Sequence, residues 1–173
     1  MVFRFLLKIS GLIRKKASLI LAIFWCGGIL SGILLACSMG PVVLAKFPSA
    51  VCMEPTVWTA VWASCVPVLL SALALHFSEP WLLLVCYFQA LRFGFASCGL
   101  RMTFDHSSWL IQLLFLFPDY VLIPWLYLLW LRLLAGQRHF RKDLVVHFLF
   151  AITIGLVHYR FVAPFLSRLV LSK

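Results

Sequence analysis

Residues 18–39 read SLILAIFWCGGILSGILLACSM, a stretch with no charged side chain. At about 1.5 Å per residue, a helix of this length covers the ~30 Å hydrocarbon core of a bilayer. This stretch decides the fold class, because an aqueous domain cannot cover so long an apolar run with polar groups. The rest of the chain repeats the pattern. Apolar runs recur at 56–77, 80–100, 108–134 and 144–163. Between them lie a Pro-rich segment with Pro41, Pro48 and Pro55, a turn at 76–80, a polar loop with Arg101, Thr103, Asp105, His106 and Ser107, and the loop AGQRHFRKD at 135–143. Proline interrupts helices by removing a donor and crowding the preceding turn. Pro67 therefore predicts a kink in the second span.

The expected fold is all-α: a polytopic membrane helical bundle of about five transmembrane helices, the fourth broken by Pro118 and Pro124. The stretch 108–134 reads either as one kinked span or as two half-helices meeting at Phe117–Tyr120. Three regions are expected: a basic amphipathic N-terminal segment over 1–17, a transmembrane domain over 18–163 and a short amphipathic tail over 164–173. Composition agrees, with 64% hydrophobic residues, 12% charged residues and a mean hydropathy of +1.07 across 173 residues. Soluble domains carry about 25% charge, so a soluble enzyme and a nucleic-acid-binding module are poor readings despite the net charge of +10.

The position of the charge is more informative than its sum. Arg4, Lys8, Arg14, Lys15 and Lys16 precede the first span, and Arg132, Arg138, Arg141 and Lys142 cluster around the loop at 135–143. With five spans and a cytoplasmic N-terminus, these nine lie inside. Lys46, Arg101, Arg160, Arg168 and Lys173 lie outside. The excess fits the positive-inside rule and predicts a cytoplasmic N-terminus and an external C-terminus.

Gly28, Gly32, Ala36 and Gly40 recur every four residues in the first span, as do Ala90, Gly94 and Cys98 in the third. Small residues at this spacing let helix backbones approach closely. The stripes read as packing inside the monomer or as a homodimer or partner interface. Arg92 falls near the middle of the third span, where an arginine is costly. Asp119 falls at a matching depth in the fourth apolar stretch, so an Arg92–Asp119 pair is expected, with Gln89 sharing its polar face. His147 and His158 lie eleven positions apart and hence near one helical face; hydrogen bonding to neighbouring helices or a position near the interfaces fits them better than a metal site. The six cysteines form no CxxC pair and read as small hydrophobes. No catalytic motif, paired carboxylate or metal-ligand spacing is present, so neither catalytic activity nor a cofactor is expected.

Four segments carry a resemblance. YFQALRFGFASCGL (87–100) resembles the glycine–phenylalanine span of the stage II sporulation protein M family. LFLFPDYVLIPWLYLL (114–129) is similar to that family's proline, two polar or semi-polar positions, an apolar triplet and a second proline. FWCGGILSGILLACS (24–38) resembles its first span, and APFLSRL (163–169) matches the end of its last. The segment between the first two spans is shorter than is usual there, and Arg92 stands where the family pattern is apolar. The resemblance implies a non-catalytic scaffold in the mother-cell membrane at the sporulation septum. Such a scaffold holds membrane-anchored peptidoglycan hydrolases, the stage II sporulation proteins D and P, during engulfment. Loop 40–55, the stripe of the first span and the broken fourth helix would be its contacts. The competing expectation is a small permease subunit working as an oligomer or with an ATPase, since broken helices and intramembrane charge also suit transport.

Overall fold

A computed structural model describes residues 16–39, 56–77, 79–103, 109–134 and 140–171. Helices α1 (Ala17–Ser38), α2 (Val57–Phe77), α3 (Glu79–Thr103), α4 (Trp109–Phe115), α5 (Phe117–Leu134), α6 (Phe140–Val157) and α7 (Ala163–Leu171) follow in order, and a π-helical turn at His158–Val162 links the last two. No strand occurs among the described residues. Five helical segments are long and apolar enough to cross a membrane: Ala17–Ser38, Val57–Ala74, Pro80–Thr103, Phe117–Leu134 and Lys142–Arg168. The chain is an all-α, multi-pass membrane protein. The N-terminal segment expected to be amphipathic and the loop 40–55 lie outside the described residues, apart from Lys16 and Ala17.

Each helix is built for lipid on one side and protein on the other. In α1 the buried positions are Ala17, Leu21, Gly28, Gly32 and Ala36, a single stripe at helical spacing. Leu19, Ile23, Leu30 and Leu34 stand exposed around the rest of the helix, as expected of side chains that meet acyl chains. The α1 stripe packs along α3; α2 packs on α6 and α3, and α5 packs on α6 and α2. The main core gathers Leu21, Val68, Leu82, Cys86, Leu126 and Trp130. A smaller core joins Leu100 of α3, Ile111 of α4, Leu116 and Leu166 of α7.

Prolines mark the irregularities. The division expected in the fourth apolar stretch falls at the turn residue Leu116, just before α5. Pro118 then occupies the second position of α5, where its missing N–H costs little. Pro124 lies inside α5 without ending it. Pro67 likewise lies inside α2. There the buried Ser71 hydroxyl donates to the Pro67 carbonyl at 2.7 Å, and the Trp130 indole donates to Ser71 Oγ at 2.7 Å, tying α5 to α2.

The last span differs from expectation. It does not stop at residue 163, because the candidate span continues through Pro164 to Arg168. Proline cannot donate to the preceding turn and crowds its carbonyl. The turn ahead of Pro164 widens instead, with the Ala163 N–H bonding to the His158 carbonyl five residues back. Beyond it α7 is amphipathic as expected, with Leu166 buried and Phe165 and Arg168 exposed.

Candidate functional site

Arg92 and Asp119 form an ion pair, with guanidinium Nη2 donating to carboxylate Oδ1. Two helices set this up. Arg92 lies midway along α3, and Asp119 lies in the first turn of α5. A helix N-terminus carries partial positive charge, so a carboxylate there has a second favourable partner. The next residue on each helix reinforces the contact: the Phe93 and Tyr120 rings meet edge to face with centroids 5.5 Å apart. Asp119 is 13% exposed and Arg92 51%.

The pair borders a cavity of about 190 Å³ also lined by Thr59 and Ser64 of α2, Phe115, Pro118, Leu122 and His158. The Thr59 and Ser64 hydroxyls donate to carbonyls of their own helix, Thr56 at 2.9 Å and Ala60 at 3.1 Å. His158 is different. Its Nε2 is buried and has no hydrogen-bond partner among the described residues. It opens the π-turn, a distortion that often marks functional positions. The cavity thus has a cation, an anion and a histidine in its lining inside an apolar bundle. Such a chamber suits water, a proton or a small polar ligand.

His147 does not join it. Its ring Nδ1 lies 2.6 Å from the Asp143 carbonyl and its centroid 5.4 Å from that of Trp125. The eleven-residue spacing puts both histidines on one face, yet about 16 Å apart along the axis. Gln89 also departs from expectation. It lines a separate groove of about 440 Å³ between α2 and α3, beside Leu70, Leu73, Trp81, Leu84 and Phe88.

The small-residue stripes meet each other. A Cβ on Gly28 would lie 2.5 Å from the Tyr87 carbonyl oxygen, one on Gly32 2.2 Å from that of Leu91, and one on Gly94 2.4 Å from that of Ile29. Ala36 and Ala90 are fully buried. The Tyr87 hydroxyl donates to Ser31 Oγ at 2.8 Å across the same seam. Of the two readings open from sequence, the α1–α3 contact inside the monomer is the one these atoms make, and the face of Gly28 and Gly32 is already covered. Cys98 continues the stripe and meets Cys37, and Gly40 lies outside the described residues.

A second seam escaped the sequence reading. A Cβ on Gly155 would lie 2.7 Å from Val61 Cα, and Ala151 is buried one turn earlier, so α6 approaches α2 as α1 approaches α3. The Ala151–Gly155 spacing was the available signal, but it is a single small pair rather than a run.

No protein-family model matches the chain, and neither a curated protein nor a solved structure matches it.

Proposed function

We propose that this chain is a non-catalytic membrane scaffold of the stage II sporulation protein M kind, which gathers peptidoglycan-cleaving enzymes at the sporulation septum. One observation carries the reading. Three of the four segments that bear the resemblance are joined in space, since 24–38 packs on 87–100 through the glycine seam and 87–100 is tied to 114–129 by the Arg92–Asp119 pair. A unit of linked helices presenting apolar outer faces suits capture of a partner's membrane anchor. Holding hydrolases on one platform raises their effective concentration at the wall without new chemistry. In this reading the chain sits in the mother-cell membrane with its N-terminus cytoplasmic and its C-terminus external, the orientation that the lysine and arginine distribution favours.

The test is affinity purification of the tagged chain from sporulating cells in mild detergent. Co-purification of membrane-anchored wall hydrolases is expected, with loss in a Leu30→Ala/Leu34→Ala variant that trims the exposed face of α1. Gly28 and Gly32 are unsuited to this test, because leucine there strikes the α3 backbone. Recovery of the chain alone, or with an ATPase, overturns the scaffold.

The second reading, a small permease subunit, is favoured by the cavity that holds Arg92, Asp119 and the unpartnered His158. It predicts substrate-dependent flux in proteoliposomes that falls in His158→Ala and Asp119→Asn.

A further inference from the structure

Two sulfur–sulfur contacts, both through Cys98, lie near the ends of α1 and α3. Cys37 Sγ lies 3.8 Å from Cys98 Sγ, and Cys98 Sγ lies 3.8 Å from Met102 Sδ. Cys98 and Met102 are four residues apart on α3, hence on one face. Cys37 adjoins Ala36, the buried residue that seats the end of α1 against α3. The seam that the glycines create therefore delivers the third sulfur. Cys37 and Met102 are exposed and Cys98 half-buried, so the cluster is open on one side. Cys37 and Met102 lie in the last turns of α1 and α3, with Cys98 one turn before Met102, where an ion from the aqueous phase reaches the cluster.

We propose that Cys37, Cys98 and Met102 form a binding site for monovalent copper. Metal–sulfur bonds of about 2.3 Å place ligand sulfurs about 3.8 Å apart at a tetrahedral angle and about 4.0 Å apart in a trigonal plane. Both separations fall at that spacing and share Cys98, so the site closes when Cys37 and Met102 turn onto the same ion. The donor set selects the ion. Two thiols and a thioether are soft ligands that favour copper(I), whereas closed zinc sites take four cysteine, histidine or carboxylate ligands. No group of three or more His, Cys, Asp and Glu side chains among the described residues is placed to hold a metal, and here methionine supplies the third donor.

On binding, two copper–thiolate bonds form and two thiol protons leave to water, while the copper stays monovalent. The resulting centre carries one net negative charge. Arg101, on the next turn of α3, lies within electrostatic reach of Cys98 and offsets it. Copper would fasten α1 to α3 at the end of their glycine seam. This site shares no residue with the Arg92–Asp119 cavity and does not depend on the scaffold reading.

The test uses the full chain, purified in detergent under anaerobic, reducing conditions. Copper(I) is titrated against a bathocuproine-type chelator, and X-ray absorption counts the sulfur ligands. The expected result is one equivalent held against the chelator by three sulfurs. Cys37→Ser and Cys98→Ser should lose it, and Met102→Leu should weaken it by about tenfold or more. A variant with Cys26, Cys52, Cys65 and Cys86 all changed to Ser should bind as the unaltered chain does. Monodisperse elution of each variant keeps loss of binding apart from loss of fold. Copper binding that survives Cys37→Ser/Cys98→Ser overturns the proposal. So does failure to compete with the chelator, or recovery of a parallel preparation, made without reductant and with free thiols blocked at lysis, in which Cys37 and Cys98 are joined as a disulfide.

Discussion

At the scale of single residues, Arg92 carries the sharpest energetic demand. Placing an arginine at the centre of a span costs about 2.5–3.5 kcal/mol on insertion scales, and Asp119 is what this bundle offers in return. Removing one partner leaves the other charge uncompensated, which is worse than having neither. Arg92→Leu and Asp119→Leu should each lower stability by on the order of 2 kcal/mol, short of the roughly 3–5 kcal/mol of a fully buried pair because Arg92 is half exposed. The double variant should recover part of that loss. Thermal unfolding of the four proteins in one detergent closes the cycle, and simple additivity would show that the pair contributes nothing. The pair was legible in the sequence because depth in a helical hairpin follows from counting residues. Its third companion was not. His158 reaches the cavity only because α6 lies against α2, and neighbour choice among spans is settled by packing between distant segments. Gln89 shows the same limit, since its spacing from Arg92 says nothing of the groove between α2 and α3 that it lines.

At the scale of elements, two glycine seams organise the bundle, one joining α1 to α3 and the other α2 to α6. Lipid is as apolar as a leucine side chain, so helix association rests on close packing rather than on escape from water. Gly94 and Gly155 have the same role in separate places. Gly94→Leu should force α1 off α3, and Gly155→Leu should force α6 off α2, each overpacking at a cost of about 1–3 kcal/mol. Region-resolved hydrogen exchange in detergent distinguishes them. Gly94→Leu should raise exchange in α1 and α3 by roughly ten- to hundredfold with α2 and α6 less affected, and Gly155→Leu should do the converse. A uniform rise in both variants would mean that the bundle opens as one unit. The first seam could be read from four-residue spacing sustained along two spans. Its partner helix could not, because periodicity shows which face is small without showing what covers it. Helix ends were the least legible feature. In sequence Pro164 starts the tail after the last span, whereas in the structure a π-turn absorbs it and the helix continues. Local sequence names the proline and leaves open whether the preceding turn breaks or widens.

At the scale of the whole molecule, the proposed five crossings would put the two termini on opposite faces, and the charge distribution would decide which face is which. The loop at 135–143 is the clearest marker. Arg132 and Asp143, on either side of it, approach to 3.6 Å, so the ends of α5 and α6 are held together where the basic residues gather. Lysine and arginine near span ends resist translocation and acidic residues count little, so this loop and the basic N-terminus should both stay cytoplasmic. A phosphatase that folds only outside should therefore be active when fused after Lys173 and inactive when fused ahead of Met1 or within 135–139. The charge argument also makes a graded prediction. With Arg160 inside the extended last span, replacing Arg138, Arg141 and Lys142 with glutamine reduces the excess from nine against four to six against four. That margin is too small to fix orientation, so the C-terminal fusion should lose a measurable part of its activity as a fraction of chains inserts the other way. Full retention of activity would place the control of orientation in the first span and its five preceding cations, with the later spans following the hairpin geometry that the first one imposes.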